Sequence, residues 1–195
     1  MEILKEIDVV ITNMLDNIGF LAPLFASILI LVESIIPVLP LSVFITLNFY
    51  YFGVIFGFLI SWILTCIGCY ISFILFRSKI KFSFDNKFIR KNEGKIAKWM
   101  GIVNRLKFEQ LVIILSIPFT PAFIVNIVAG LSSMSIRKFI YAIVISKIFL
   151  VFFWGFVGTT FLESFQNPLN FIKIIIACSL AFLISKIVNK KFNIE

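Results

Sequence analysis

The chain has 195 residues, of which 61% are hydrophobic and 14% are charged, and its mean hydropathy is +1.08. Soluble domains carry about 25% charged residues, so this composition indicates one integral membrane domain over residues 1–195 and excludes a sizeable soluble domain. The net charge of +8 comes mostly from bases beside apolar segments. Cytoplasmic-loop bias and anionic lipids account for such bases, and nucleic acid is not an expected partner.

Several catalytic classes are excluded by the missing residue types. There is no histidine, and the three cysteines are Cys66, Cys69 and Cys178. Histidine-dependent nucleophiles, histidine metal sites and a disulfide framework are therefore excluded, and we expect neither an enzyme nor a cofactor. Cys66 and Cys69 have redox-pair spacing, but their apolar surroundings favour two small helix-packing residues one turn apart.

Residues 2–18 are predicted to form an N-terminal amphipathic helix. Apolar side chains recur there at helical spacing, with acids and amides between them. The segment is too polar to span a membrane, so we expect it to lie in the interface, as an anchor or as a sensor of the membrane surface.

An acid and two prolines interrupt the apolar stretch over residues 21–52. Twelve uncharged residues, 21–32, precede Glu33, and Pro37 and Pro40 follow. Twelve helical residues extend about 18 Å, against about 30 Å of hydrocarbon. Half-length arms around a break predict a re-entrant hairpin, hairpin 1, whose unpaired backbone must be covered by protein or face a cavity.

Residues 54–76 form the first predicted full span. Small side chains fall at every fourth position from residue 53 to residue 69. Such a face lets another helix approach closely, so Gly53 and Gly57 are predicted packing positions for a hairpin.

The segment 77–107 is the only long polar stretch. Ten bases face two acids in it, and the positive-inside rule therefore places this loop in the cytoplasm.

Residues 108–131 repeat the earlier pattern and predict hairpin 2. Pro118 and Pro121 break the apolar run, and Gly130 near its end is a further predicted packing position. Bases follow at 137–138, so both ends of this segment face the cytoplasm. A hairpin that enters and leaves by one face satisfies that arrangement.

Two further spans, 139–158 and 169–188, return the C-terminus to the cytoplasm. Hairpin 1 then opens outward and hairpin 2 opens inward. The sequence predicts an all-α polytopic membrane protein, with about three full transmembrane helices plus two opposed re-entrant helical hairpins in an inverted repeat. In transporters with inverted repeats, the substrate site lies near the midplane between the breaks.

Glu33 and Lys147 are the candidate ionisable groups of that site. A charged side chain at the bilayer centre costs about 2.5–3.5 kcal/mol on insertion scales. Glu33 should therefore be paired, hydrated or protonated, either as a proton-responsive group or as a cap for backbone N–H groups freed by the prolines. Lys147 could snorkel to the interface, neutralise Glu33 or bind an anionic head group.

Four uncharged polar side chains beside the breaks are further candidates. They satisfy loose backbone or line a polar substrate path. They are Asn48, Ser116, Thr120 and Asn126.

A set of motifs occurs in order along residues 22–158. They are Glu33-x-x-x-Pro37-x-x-Pro40, the glycines Gly53, Gly57 and Gly68, Ile117-Pro118-Phe119-Thr120-Pro121, Asn126-x-x-Ala129-Gly130-Leu131 and Trp154-x-x-x-Gly158. This order resembles the DedA family of SNARE-associated (VTT-domain) membrane proteins. Because its second break has P-x-x-P, the chain is similar to the branch of this family that is named for the yeast Golgi vesicle protein.

The resemblance implies two opposed re-entrant hairpins and a role in moving lipids across the bilayer. In bacterial relatives that role includes the return of undecaprenyl phosphate to the cytoplasmic leaflet, with proposed proton coupling. The family's intramembrane acid matches Glu33. Two arginines of DedA proteins are replaced here by Leu115 and Pro121, and our hypothesis is that Lys147 supplies the missing cation.

The predicted function is a transporter or scramblase that moves lipid, a polyprenyl phosphate or a phospholipid, across the bacterial cytoplasmic membrane, with Glu33 responding to protons. Membrane lipids and protons are its expected partners. The alternatives are a proton- or cation-coupled carrier of small solutes and a membrane-organising protein that transports nothing.

Overall fold

The computed structural model describes residues 21–35, 40–77, 100–120 and 122–192, and the regular elements of these residues are all helical. The helices are α1 (Leu21–Ile35), α2 (Leu41–Arg77), α3 (Phe108–Ser116), α4 (Ala122–Leu131), α5 (Ile136–Ser164) and α6 (Asn170–Phe192). Residues 100–105 are helical as well. The predicted amphipathic helix 2–18, the prolines Pro37 and Pro121, and residues 78–99 of the 77–107 loop lie outside the described residues.

Three helices are long and apolar enough to cross a membrane: Leu41–Arg77, Ile136–Ser164 and Asn170–Lys191. They overlap the predicted spans 54–76, 139–158 and 169–188. The helices α1, α3 and α4 have 15, 9 and 10 residues, so each is shorter than a hydrocarbon core of about 30 Å. The prediction of an all-α polytopic membrane protein with about three full spans is confirmed.

Helix α2 reverses direction at Gly53. Asn48 Nδ2 donates a hydrogen bond to Ser61 Oγ at 3.1 Å, although thirteen residues of straight helix would separate them by about 20 Å. Gly53 has φ 74° and ψ 175°, a conformation that is essentially restricted to glycine. A first arm, residues 41–52, therefore lies against the long arm, residues 54–77.

Among the described residues, a Cβ at Gly53 would meet nothing within 4 Å, and the packing role of Gly53 stays a prediction. Gly57 and Gly130 do lie at close approaches. A Cβ at Gly57 would be 2.5 Å from the Asn48 carbonyl oxygen, and one at Gly130 would be 2.5 Å from the Phe73 carbonyl oxygen. A larger residue at either position would push two backbones apart.

Each predicted hairpin packs around its own buried apolar cluster. In hairpin 1, Ser27 lies opposite Asn48, with 3.4 Å between Oγ and Oδ1, so α1 and the first arm of α2 run back alongside each other. The cluster around hairpin 1 contains Ala26, Ile30, Phe44, Ile45, Phe49 and Val151. The cluster around hairpin 2 includes Leu111, Ile114, Leu115, Val125, Val128 and Ala129, packed with Phe73 and Phe139.

The two ends of hairpin 2 lie beside one end of the long helices. Arg77, the last residue of α2, donates to the Met134 carbonyl oxygen just after α4. Lys138, in the first turn of α5, donates from Nζ to the Leu106 carbonyl oxygen at 2.7 Å, just before α3. This geometry fits a segment that enters and leaves by the same face, and its return to that face remains a prediction.

Cysteine labelling measures that topology directly. In a background where Cys66, Cys69 and Cys178 are replaced with serine, we expect Asn104→Cys and Ser133→Cys to react with an impermeant maleimide from the same side of the membrane. Both positions are exposed, before and after hairpin 2. Gln166→Cys, in the exposed turn after α5, is the control and should react from the opposite side. Labelling of Asn104→Cys and Ser133→Cys from opposite sides would contradict a re-entrant hairpin 2.

Candidate functional site

A cavity of about 390 Å³ lies where the end of α1 meets the break between α3 and α4. Its volume falls within the range of about 300–1,000 Å³ that is usual for ligand pockets. The long helices α2 and α5 form the remaining walls. The lining side chains include Glu33, Ser34, Thr65, Cys69, Pro118, Phe119, Thr120, Asn126, Lys147 and Trp154.

The acid and the base predicted from the sequence face this same cavity. Glu33 belongs to the last turn of α1, close to the predicted break, and Lys147 lies near the middle of α5. The side chain of Lys147 is only 2% exposed, which excludes snorkelling to a polar interface in this conformation. The two charges are close enough to attract each other.

Contacts between α2 and α5 fix the position of Lys147. Trp62 Nε1 donates to the Val144 carbonyl oxygen at 3.0 Å, one turn before Lys147. The Cys66 thiol lies 3.9 Å from the Ile143 carbonyl oxygen. These contacts hold the α5 backbone against α2. They therefore fix the point on the cavity wall from which the Lys147 side chain extends.

Asn126 and Thr120 are the uncharged predicted site residues that line the cavity. Asn126, on α4, is 2% exposed, and its Oδ1 accepts no hydrogen bond from the described part of the chain. The Thr120 hydroxyl, in the α3–α4 break, is buried and likewise has no partner among the described residues. A buried acceptor without a donor costs about 1–3 kcal/mol, and both oxygens have almost no accessible surface.

An aromatic cluster forms the wall of the cavity towards α6. Phe119 has φ 67°, a left-handed conformation that costs roughly 1–2 kcal/mol for a residue with a Cβ. Its ring makes edge contacts with Trp154 at 5.6 Å and with Phe182 at 6.3 Å between centroids. The cavity therefore combines a few charged and polar groups with a largely apolar lining, which includes this aromatic cluster.

The structure brings four of the six predicted site residues together and places Asn48 and Ser116 elsewhere. Asn48 is fully buried between Ser27 and Ser61 within hairpin 1. Ser116 Oγ donates to the Val112 carbonyl oxygen at 2.7 Å, one turn back in its own helix. Neither residue lines the cavity.

Several lining residues were not among the predicted site residues. Thr65 and Cys69 line the cavity. They belong to the row of small side chains on α2, for which only a packing role was predicted. Trp154 and Phe119 also line the cavity and belong to motifs already noted. The predicted breaks are the signal that could have found them, because residues level with a break can share its cavity. Within the described segments, no group of three or more cysteine or acidic side chains could hold a metal ion.

The fold and the cavity together define a polytopic helical membrane protein with a polar site inside its membrane domain. The model of the VTT domain matches residues 39–160, which is more than half of the chain. The chain therefore belongs to the VTT-domain family, the DedA family, as the motifs predicted. It is 29% identical over 185 residues to the uncharacterized membrane protein YhjE of Bacillus subtilis (strain 168), an alignment that covers 95% of this chain and 88% of that protein. No solved structure matches it.

Proposed function

We propose that this protein moves lipid across the cytoplasmic membrane, as a transporter or scramblase whose site is the cavity between hairpin 1 and hairpin 2. The observation that carries the proposal is the presence of Glu33 and Lys147 on the wall of one cavity. Ionisable residues inside a membrane domain are costly and typically mark substrate or ion pathways. In this proposal the 77–107 loop and the C-terminus face the cytoplasm, following their bases.

The residues of the site have distinct tasks in the proposed transport cycle. Lys147 holds the phosphate of a lipid head group, because an ammonium group at low dielectric attracts an anion far more strongly than it would in water. When Glu33 is charged, its carboxylate competes with the phosphate for the ammonium group of Lys147. When a proton binds to Glu33, the ammonium group is released. The aromatic side formed by Phe119 and Trp154 contacts the acyl chains.

Neutralising Glu33 tests this proposal. In liposomes that contain the purified protein and an acyl-labelled phospholipid, we expect Glu33→Gln to change the translocation rate by about tenfold or more, since hydrogen bonds to charged groups contribute about 1.5–3 kcal/mol. We also expect the wild-type rate to depend on pH between mildly acidic and mildly basic buffers, and the variant rate to be insensitive.

Glu163→Gln is the matched control, because Glu163 is exposed in the last turn of α5 and should behave as wild type. Equal rates for the wild type and Glu33→Gln would contradict the mechanism. Flux of protons with small solutes in vesicles where no lipid moves would instead favour the solute carrier.

A further inference from the structure

We infer that Phe119 is a movable aromatic lid, which closes the cavity on the side of α6 and opens it sideways into the bilayer when its ring leaves Phe182. The inference goes beyond the proposed function, because it concerns access to the cavity and holds whatever the cavity binds. It rests on the turn that carries Phe119 and on the contacts that its ring makes.

Phe119 occupies a turn position that normally belongs to glycine. The Thr120 N–H donates to the Ile117 carbonyl oxygen at 3.4 Å, so residues 117–120 form a β-turn with Pro118 and Phe119 at its centre. A proline followed by a residue with positive φ is the pattern of a type II turn, which favours glycine or asparagine at the second central position. Since Phe119 has φ 67°, the turn holds a large ring where glycine would be less strained.

The contacts of the ring explain why the strained conformation persists. Phe119 meets Trp154 of α5 at 5.6 Å and Phe182 of α6 at 6.3 Å between centroids, both edge to face. Each such contact favours the held ring by about 2- to 12-fold, whereas the left-handed backbone opposes it by about 5- to 30-fold. Burial of part of the ring adds to the contacts. The held position is therefore favoured only modestly, and loss of one contact should shift the ring towards release.

The ring of Phe119 lies between the cavity and the membrane-facing surface of α6. Phe119 and Trp154 line the cavity, whereas Phe182 lies outside its lining. Phe182 is 58% exposed on a helix long and apolar enough to span the membrane, so its free side faces lipid. Phe119 is itself 48% exposed, so its ring can swing without opening a packed core. Its release from Phe182 joins the cavity to hydrocarbon.

Access to a cysteine inside the cavity tests the lid. Leu150 is buried on the face of α5 that also carries Lys147 and Trp154, and all three line the cavity. In the full-length protein without its native cysteines, Leu150→Cys is the reporter, and its reaction with N-ethylmaleimide is compared with full labelling in SDS. We expect much slower labelling than at Gln166→Cys, which is exposed. Equal rates would show an open cavity and overturn the inference.

Phe182→Leu distinguishes a lid from a fixed plug. Leucine keeps an apolar side chain on α6 but removes the edge contact with Phe119, so we expect the reporter to react about 2- to 12-fold faster. A fixed plug would stay in place, because Phe182 lies outside the cavity lining. An unchanged rate in folded Phe182→Leu would therefore overturn the inference.

Phe171→Leu is the matched control. Phe171 is also on α6 and makes an edge contact of similar length with Phe161 of α5, at 6.2 Å between centroids. Neither of these two rings lines the cavity, so the reporter rate should stay at its original level. A rise equal to that in Phe182→Leu would show a general loosening of α6 and would overturn the lid.

Phe119→Gly removes the ring and suits the left-handed turn, so the turn is kept while the lid is lost. The reporter should then react at least as fast as in Phe182→Leu. Adding Phe182→Leu to Phe119→Gly should change nothing further, because Phe182 acts through Phe119, and a further rise would contradict the inference. If Leu150→Cys does not fold, Ser34→Cys replaces it as reporter, since Ser34 is a buried cavity residue that differs from cysteine by one atom.

A charged reagent shows where the lid leads. In liposomes, Phe182→Leu should raise the rate of N-ethylmaleimide, which enters hydrocarbon, and leave that of an impermeant charged maleimide unchanged. An equal gain for both reagents would show an opening to water and overturn the sideways lid. These reactions involve no lipid substrate, so failure of the lid leaves the proposed function in place. Absence of lipid translocation in the wild type would equally leave the lid in place.

Discussion

In the Lys147→Gln variant, lipid translocation in liposomes is expected to fall by about 10- to 150-fold. Lys147 is the cation that lines the cavity in the described part of the chain, and its side chain is 2% exposed. Glutamine keeps a similar length and hydrogen-bonding capacity but removes the charge. A hydrogen bond to a charged group contributes about 1.5–3 kcal/mol, which corresponds to that loss in rate.

Two further variants separate a functional role of Lys147 from a structural one. The double variant Glu33→Gln/Lys147→Gln removes both charges, so no uncompensated ion remains buried, and thermal stability should recover relative to Lys147→Gln alone. Translocation should stay low, because the phosphate still lacks its cation. Recovery of translocation in the double variant would show that Lys147 serves only to neutralise Glu33.

Lys173→Gln provides the control for loss of one positive charge. Lys173 is exposed on α6, and its substitution should leave translocation within about twofold of wild type, as surface changes usually have small effects. If Lys147→Gln also retained wild-type translocation, the hypothesis that Lys147 replaces the family's arginines would have to be abandoned.

The helical architecture could be predicted because membrane segments obey strong local rules. Runs of apolar residues give the spans, since every backbone group must be satisfied inside the segment. Glu33 and Pro118 mark interruptions, and α1 and α3 end close to these residues. The reversal of the chain at Gly53 was harder to predict from the sequence, because a glycine in an apolar run indicates a packing position as readily as a turn.

The site was only partly predictable, because a sequence does not fix the rotation of each helix about its axis. Lys147 and Asn126 face the cavity, whereas Asn48, an amide of the same type, turns towards Ser61. That contact depends on how far the arm rotates at Gly53. Ser116 bonds to its own helix at Val112, a local alternative that serine always has in an apolar helix.

Gly57→Ala is expected to lower the stability of the protein by about 1–3 kcal/mol, the usual range for overpacking of a filled interior. The added Cβ would lie 2.5 Å from the Asn48 carbonyl oxygen and 2.7 Å from the Phe49 Cα. Both atoms belong to the backbone of the first arm, so a side-chain rotation cannot relieve the contact. The arms must separate, which lengthens the hydrogen bond between Asn48 and Ser61 and lowers the Tm in detergent.

Gly101→Ala is the matched control for this prediction. Gly101 also lies in a helical segment, but a Cβ there would meet nothing within 4 Å in the described part of the chain. Since alanine is favoured over glycine in a helix by about 0.8–1.0 kcal/mol, Gly101→Ala should raise the Tm or leave it unchanged. The first arm of α2 belongs to hairpin 1, which carries Glu33, so its separation from the long arm in Gly57→Ala should reduce translocation together with stability. A Gly57→Ala variant as stable and active as Gly101→Ala would show that the close approach of the two arms neither holds hairpin 1 in place nor positions its acid.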